Sequence, residues 1–493
     1  MSKKDFVKDW SGLKVLIIGA ARQGLALARY LSMHGAKVIL NDRQRDDELK
    51  SARDTLKDLQ IDWSLGGHPI SLLEGVDLVC PSGGVPLSIP LIREARSRGI
   101  PLSNDSQVFI EACPCPVVGI TGSAGKTTTA TLLSLMVKSE VERTTIGQQL
   151  QKFDSSKKFF QLISTSQIWL GGNIGQPLIS SLDDMQSDDL AIIELSSFQL
   201  ELMTVSPEVA AVLNIKPDHL DRHGAMDNYL SMKARILEFQ NRDDWAVLGR
   251  DDQGSWSLID RVRGSLLSFG LGELTADQSG TFLKRKDIIL QGIDNKETRL
   301  MSRQDIGLRG DHNLANVLAA CTIAYAVGVS SEAMRRGVLG FEGIPHRLEF
   351  VRSWGGARWF NDSIATTPDR AIAGINSFDE PLILLAGGKD KELSWDEFAE
   401  VTEQKVNYLI LFGESSEKIS SVLYEQKKNY RPEQKSKCQI ICRKNLHQAV
   451  KTAAQVVFPG SVVLLSPGAT SYDEFHDFED RGEAFKRWVM QLQ

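Results

Sequence analysis

Short, wholly apolar runs alternate with longer stretches of helical period along this chain. Lys14-Val15-Leu16-Ile17-Ile18 enters the turn Gly19-Ala20-Ala21-Arg22-Gln23-Gly24 and a helical pattern through Leu31. Lys37-Val38-Ile39-Leu40 follows and ends in Asn41-Asp42-Arg43. The alternation resumes at Pro116–Ile120, read as a buried strand, with a helix predicted over Thr128–Lys138. Further strands are expected over Leu190–Ile193 and Val209–Ile215, helices over Tyr229–Leu237 and Asn313–Val327, and strands over Leu382–Ala386 and Val462–Leu465. Runs without polar alternation suit strands covered on both faces, so this order predicts an α/β chain of parallel sheets clothed by helices. A Pro-rich linker, Cys113-Pro114-Cys115-Pro116, separates a first unit from a second, and a third opens near Phe341. The sequence carries no internal repeat, and the charged stretch 426–437 reads as a solvated insertion.

Composition narrows the class. A chain of 493 residues is too long for one core, so two to four domains are expected. A net charge of −6 and a pI near 5.9 supply no basic surface for nucleic acid or membrane. The charged start Met1-Ser2-Lys3-Lys4-Asp5 and the lack of a long apolar run predict neither a signal peptide nor a membrane span. Six cysteines, at 80, 113, 115, 321, 438 and 442, include no Cys-x-x-Cys pair. That usage points to reduced thiols in a cytoplasmic enzyme and away from zinc.

The strongest chemical signal is Gly119 to Thr129. Its glycines allow backbone N–H groups to face a triphosphate at a helix N-terminus, where the helix dipole favours anions. Lys126 is expected to reach the β- and γ-phosphates and Thr127 to hold Mg²⁺, with Gly122, Ser123, Ala124, Gly125 and Thr128 completing the cradle. The strict pattern would put its first glycine at Ile120, so Gly122 takes over the bend. In open parallel sheets ligands sit beyond the carboxyl ends of the strands. Glu194 and His219 follow two such strands and are candidates for the Mg²⁺–ATP site, although a helix-capping carboxylate and a loop histidine fit the sequence equally well. Lys233 lies on an amphipathic helix and reads as solvated by pattern alone. Asp311 is the expected N-cap of its helix, with Asn316 on the same side. The first unit opens like a Rossmann fold, but Ala21 replaces the middle glycine of the dinucleotide fingerprint, so a dinucleotide and another diphosphate such as a nucleotide sugar remain equally open.

Several of these segments together resemble the Mur ligases. They are Thr-Gly-Ser-Ala-Gly-Lys-Thr at 121–127, Gly-Gly-Asn-Ile-Gly at 171–175, Glu-Leu-Ser-Ser-Phe-Gln-Leu at 194–200, Asp-His-Leu-Asp-Arg at 218–222, and His312-Asn313. Ser-Pro-Gly-Ala at 466–469 and Phe-Glu-Asp-Arg-Gly at 478–482 resemble the branch of that family that adds D-glutamate. The resemblance covers nearly the whole chain. It implies three domains: a Rossmann-like UDP-substrate-binding domain at 1–113, a central P-loop ATPase-like parallel sheet binding ATP at 114–342, and a Rossmann-like domain at 343–493 that binds ATP and the incoming amino acid.

What the resemblance implies chemically is a cytoplasmic, monomeric ligase of peptidoglycan synthesis acting on small molecules: UDP-MurNAc-L-Ala, D-glutamate and ATP, with two Mg²⁺ ions. Lys126, Glu194, His219 and Lys233 would be catalytic, and Thr127, Glu194, His219 and a carbamylated Lys233 would hold metal. ATP would also meet Asn313, Arg347 and Asp362, near His346. Arg22, Gln23, Gly24, Asp42, Arg43, Ser82, Asn173 and His219 would contact the UDP-substrate, and Lys391, Ser471 and Phe478 the D-glutamate. Ala21, the segment 139–169 and Ile364, which stands where the family carries a lysine, depart from the family pattern. A sibling ligase for a diamino acid would need Asp-Asn-Pro-Arg, which the sequence lacks. A folylpolyglutamate synthase would lack a domain like 13–112, and a non-catalytic ATP-dependent regulator would not need Glu194, His219 and Lys233 together.

Overall fold

The computed structural model describes residues 9–145, 166–172, 176–216, 225–275, 277–308, 310–341, 343–390, 393–428 and 438–493. The chain divides into two compact units, residues 1–307 with 311–341 and residues 308–310 with 342–493. In the first unit β1 (Lys14–Ile18), β2 (Lys37–Asp42), β3 (Ile61–Leu65) and β4 (Leu78–Pro81) form a parallel sheet in the order β3-β2-β1-β4.

A second sheet of the same unit takes β5 (Val117–Thr121), β6 (Ile168–Gly172), β7 (Leu190–Glu194), β8 (Val209–Val212), β9 (Trp245–Gly249), β10 (Ser265–Gly270), β11 (Gly280–Lys284), β12 (Asp287–Gln291) and β13 (Glu297–Ser302). Their order is β13-β12-β11-β10-β9-β8-β5-β7-β6, parallel from β6 to β11 and antiparallel beyond. The second unit is built on β14 (Glu349–Trp354), β15 (Ala357–Asn361), β16 (Leu382–Gly387), β17 (Val406–Phe412), β18 (Gln439–Cys442) and β19 (Val462–Gly468). They run β14-β15-β19-β16-β17-β18, parallel except for β14. The α/β expectation therefore holds, with three mostly parallel sheets. Strands β5, β7, β16 and β19 are buried at every position, which is why their sequences are continuously apolar.

Strand order creates three crevices. β1 lies between β2 and β4, β5 between β7 and β8, and β19 between β15 and β16. Beyond the carboxyl ends of such strands the connections leave in different directions, and a ligand fits between them.

The two sheets of the first unit share one apolar core, which runs from Val15 and Leu27 through Phe109 to Ile193 and Val212. Polar side chains fix the join. Asn104 Nδ2 donates to the Gln199 carbonyl at 2.7 Å, Gln199 Nε2 donates to Ser106 Oγ at 2.7 Å, and Gln107 exchanges hydrogen bonds with Thr204. The Pro-rich linker takes part in the join, since Cys113 and Cys115 both lie in this core.

Local differences from the sequence reading have local causes. The helix after the phosphate loop runs Lys126–Thr145, well past Lys138. Its last turns are anchored by the buried Glu140, which accepts from Arg143 and from the Ser330 N–H at the start of the helix Ser331–Leu339. β8 ends at Val212 because Leu213 and Asn214 turn into contact with the phosphate loop. Asp311 is inside the helix Asp311–Ala326 rather than capping it, and pairs with Arg303. Lys233, solvated by pattern, is only 1% exposed. Of the charged stretch 426–437, residues 429–437 lie outside the described residues, as do 146–165 of the segment 139–169. Among the described residues no helix is long and apolar enough to cross a membrane.

Gly337 packs the helix Ser331–Leu339 against the helix Lys126–Thr145 so closely that a Cβ would meet the Met136 backbone nitrogen at 2.6 Å. Gly337→Ala is expected to cost about 1–3 kcal/mol by overpacking, read as a lower urea midpoint. An unshifted midpoint would show that the helices move apart without cost.

Candidate active site

The phosphate loop leaves β5 at Thr121 and enters the helix Lys126–Thr145. Gly125 adopts φ +89°, a left-handed conformation that excludes most side chains, and a Cβ there would meet Asn316 Oδ1 at 2.2 Å. The loop is gripped from β8. Ala124 N–H donates to Asn214 Oδ1 at 2.9 Å, Asn214 Nδ2 donates to the Ala124 carbonyl at 3.0 Å, and Ser123 N–H donates to the Asn214 carbonyl. Ser123 Oγ donates to the Lys216 carbonyl at 2.9 Å and lies 3.1 Å from the Tyr229 hydroxyl. Lys126 Nζ donates to the Gly122 carbonyl at 2.8 Å, so its charge sits over the loop.

Beside the loop, Thr127 Oγ1 donates to Glu194 Oε2 at 3.1 Å, and Glu194 is 3% exposed at the end of β7. Lys233 points at the same edge. Its Nζ donates to Thr121 Oγ1 at 3.4 Å and lies 4.8 Å from the centre of the Tyr229 ring. A hydroxyl and a carboxylate are the hard oxygen donors that Mg²⁺ prefers, and the N–H-lined loop that only glycine can complete suits a polyphosphate. Thr127, Glu194, Lys126 and Lys233 thus converge at one sheet edge. Asn313 lies one turn before Asn316 and accepts from its Nδ2 at 3.3 Å, near the Gly125 end of the loop. Asn173 and His219 lie outside the described residues. Among the described residues no three His, Cys, Asp or Glu side chains are arranged to hold a metal.

In the first sheet, Gly24 brings the helix Arg22–Met33 against β1, where a Cβ would meet the Gly19 carbonyl at 1.9 Å. Ala21 has extended backbone (φ −89°, ψ −178°), so the replaced glycine costs nothing. Asp42 Oδ2 accepts the Ala20 N–H at 2.7 Å, and Ser82 Oγ donates to the Gly19 carbonyl at 3.2 Å. Arg22 and Arg43 are exposed beside them. Gln23, Gly24, Ser82 and Asp105 line one small cavity, and Ser82 also lines a cleft with Asn104, the N-cap of the helix Asp105–Ala112, and with Phe198 and Gln199 of the helical turn after β7. Burial pushes the Asp105 carboxyl up to about 6.

The second unit gathers its candidates at the ends of β15 and β19. His346 (φ +63°) and Leu348 (φ +45°) are non-glycine residues in the left-handed region, on either side of Arg347. This strained turn is held by the His346 N–H donating to Glu349 Oε2 at 2.9 Å and the Leu348 N–H donating to Asp362 Oδ1 at 3.2 Å. Such strain persists where the surroundings over-determine it, a frequent mark of functional sites. Burial pushes Asp362 up to about 7, although the Ser466 hydroxyl at 2.7 Å, the Leu348 N–H and the charges of Arg347 and Arg370 oppose the shift. Ser471 is buried, and Phe478 opens the helix Phe478–Met490 with its ring edge-on to His346 at 6.1 Å. Ile364 is half-buried, its N–H donating to the His346 carbonyl. Lys391 lies outside the described residues.

Sequence reasoning passed over four positioning residues. Asn214 follows an apolar strand directly, and Tyr229 precedes Lys233 by one helical turn; both spacings were visible signals. Asp105 looks like an ordinary first-turn acid. Arg481 is fully buried, donating to Ser363 Oγ at 3.0 Å, the Ser363 carbonyl at 2.9 Å and the Ala469 carbonyl at 3.0 Å, which ties β15 to β19.

Family models match all three sheets: "Mur ligase MurD-like, N-terminal domain" over residues 13–104, "Mur ligase middle domain" over 120–324, and "Mur ligase, glutamate ligase domain" over 346–469. The chain belongs to the Mur ligase family. Within that family it is 37% identical over 487 residues to the UDP-N-acetylmuramoylalanine–D-glutamate ligase of Pelotomaculum thermopropionicum, covering 99% of each chain. The enzyme of the same name from a Thermoanaerobacter species is 35% identical over 485 residues, 98% of this chain and 99% of that one. Among solved structures, the UDP-N-acetylmuramate-alanine ligase MurC of Thermotoga maritima matches with a TM-score of 0.53 at 17% identity, covering 97% of this chain and 99% of that one. The MurF ligase of Thermotoga maritima in complex with ADP matches at 0.53 and 15%, covering 99% and 100%. At these identities the likeness to solved structures is one of fold.

Because Asp362 is raised from 3.8 to about 7, the folded chain keeps a proton that the unfolded chain releases between those values. Stability from this group is therefore full at low pH and is lost as pH rises through the window, by up to about 1.4 kcal/mol per pH unit. Asp362→Asn, which cannot ionise, is expected to flatten the pH dependence of thermal unfolding between pH ~4 and ~7; an unchanged slope would contradict the buried proton.

Proposed function

We propose that this chain joins D-glutamate to UDP-N-acetylmuramoyl-L-alanine at the expense of ATP, a step of peptidoglycan precursor synthesis. The observation that carries the reading is the likeness to UDP-N-acetylmuramoylalanine–D-glutamate ligases along the full length of the chain. We read the enzyme as a cytoplasmic monomer with its labour divided at 1–113 for the UDP end of the substrate, 114–342 for ATP, and 343–493 for ATP and the incoming amino acid.

The chemical difficulty is bringing a carboxylate against a triphosphate. Positioning can supply roughly 7–11 kcal/mol of such a barrier if the attacking group is held in line. Lys126 and the loop from Gly122 to Thr128, whose Ser123 and Ala124 N–H groups are held by Asn214, neutralise the β- and γ-phosphates. The muramoyl-alanine carboxylate, held near Asn173, attacks the γ-phosphorus, and ADP leaves. The D-glutamate amine then attacks the acyl phosphate carbon, and collapse of the tetrahedral intermediate expels phosphate. Arg347, Asp362 and Asn313 hold the nucleotide, while Lys391, Ser471 and Phe478 seat D-glutamate, the lysine pairing with a carboxylate. Arg22, Gln23, Gly24, Asp42, Arg43 and Ser82 receive the uridine diphosphate.

Two Mg²⁺ ions, when bound, screen the phosphate charge and polarise the γ-phosphoryl group. Thr127 and Glu194 would hold one and His219 the other. The burial of Lys233 beside Thr121 supports a carbamate there. Its ammonium group loses one proton, the resulting amine adds to CO₂ and releases a second, and a cation that cannot bind metal is thereby replaced with anionic oxygen that can.

Phosphate release is expected only when UDP-MurNAc-L-Ala and D-glutamate are both present. Turnover with L-lysine, diaminopimelate or folate in place of D-glutamate would sink the assignment. Lys233→Ala is expected to lose activity at least a hundredfold (about 2.7 kcal/mol) and to recover part of it with short carboxylic acids. Full activity in the unrescued variant would remove the carbamate.

A further inference from the structure

Where the chain passes from the first sheet to the second, one cysteine sulfur lies beside two others. Cys113 Sγ lies 3.5 Å from Cys115 Sγ and 3.9 Å from Met185 Sδ. These residues are 6, 4 and 5% exposed and belong to the apolar core that joins the two sheets, alongside Leu178, Leu182 and Ile110. Their positions are set by the backbone. Cys113 closes the helix Asp105–Ala112 in the extended conformation (φ −62°, ψ 122°) favoured before a proline. Pro114 stiffens the turn, and Cys115 stands two residues before β5. Met185 caps the helical turn Leu178–Asp184.

We propose that Cys113, Cys115 and Met185 form a binding site for a soft monovalent metal ion, Cu(I) or its chemical analogue Ag(I). Two thiolates and a thioether are the ligand set that such ions prefer over harder cations. An ion about 2.3 Å from each of three sulfurs, the ordinary metal–thiolate length, needs them about 4.0 Å apart in a trigonal plane. The two sulfur separations, 3.5 and 3.9 Å, are close to that requirement before any adjustment. Zinc fits less well because a structural zinc site takes four ligands. The Asp189 carboxylate, close enough to act on Cys115, is already occupied by the Gln167 and Gln186 N–H groups and the Trp169 indole, at 2.8–2.9 Å. Binding displaces one proton from each thiol and transfers no electrons. The site shares no residue with the phosphate loop, so the inference stands apart from the ligase reading.

The test is anaerobic competition between the full-length protein and a chromogenic Cu(I) chelator. The parent is expected to withdraw one equivalent, with X-ray absorption showing three sulfur neighbours. Cys113→Ser with Cys115→Ser should weaken binding at least a hundredfold. Met185→Leu, which conserves core volume, should retain a weaker site with two sulfur neighbours, and that result distinguishes ligation from a packing defect. Cys442→Ser, which alters the exposed thiol, should bind as the parent does. The proposal is overturned if the parent withdraws no copper, if capture follows Cys442, or if Met185→Leu leaves the sulfur count unchanged.

Discussion

The phosphate loop of this protein does not hold its own shape. Asn214 takes both backbone polar groups of Ala124, Asn316 fills the space that a side chain on Gly125 would need, and Ser123 is tied to Lys216. A loop that must turn its N–H groups outward cannot satisfy them internally, and neighbouring side chains fix it instead. The arrangement requires β8 beside β5 and the helix Asp311–Ala326 over the loop, so the strand order of the sheet is a condition for the anion site.

The same topological feature recurs in all three sheets. Gly19 and Ser82 flank the carboxyl ends of β1 and β4, Thr121 and Glu194 those of β5 and β7, and Asp362 and Ala469 those of β15 and β19. The second and third edges also bury ionisable groups. Glu194 and Lys233 are buried at the second, and Asp362 and Arg481 at the third. Buried charges are costly unless paired or hydrogen-bonded, and each here is fixed by named partners. That fixation is what positioning catalysis demands, because a reacting group held within fractions of an ångström needs a rigid surround.

Much of this was legible in the sequence because buried parallel strands announce themselves as unbroken apolar runs. The turns after β1, β5 and β19 could therefore be assigned to sheet edges, and Lys126, Thr127 and Glu194 to one of them. Period alone failed for Lys233, since a helix crossing a sheet edge buries one polar position among solvated ones, and Tyr229 was the missing cue. It gave no sign of how the Pro-rich linker between the first two sheets packs, where Cys113 and Cys115 point inward. Arg347 was legible as an ATP contact through the family resemblance, but the way it is presented was not. The strain at His346 and Leu348 that presents it depends on Glu349 and Asp362, contacts that no local pattern encodes.

The proposed activation of a carboxylate by phosphorylation is tested most directly by supplying UDP-MurNAc-L-Ala labelled with ¹⁸O in the alanyl carboxylate, together with ATP and D-glutamate. Each released phosphate is expected to carry one labelled oxygen, because the carboxylate oxygen that attacked the γ-phosphorus leaves with it. Unlabelled phosphate, formed as fast as the amide, would contradict it.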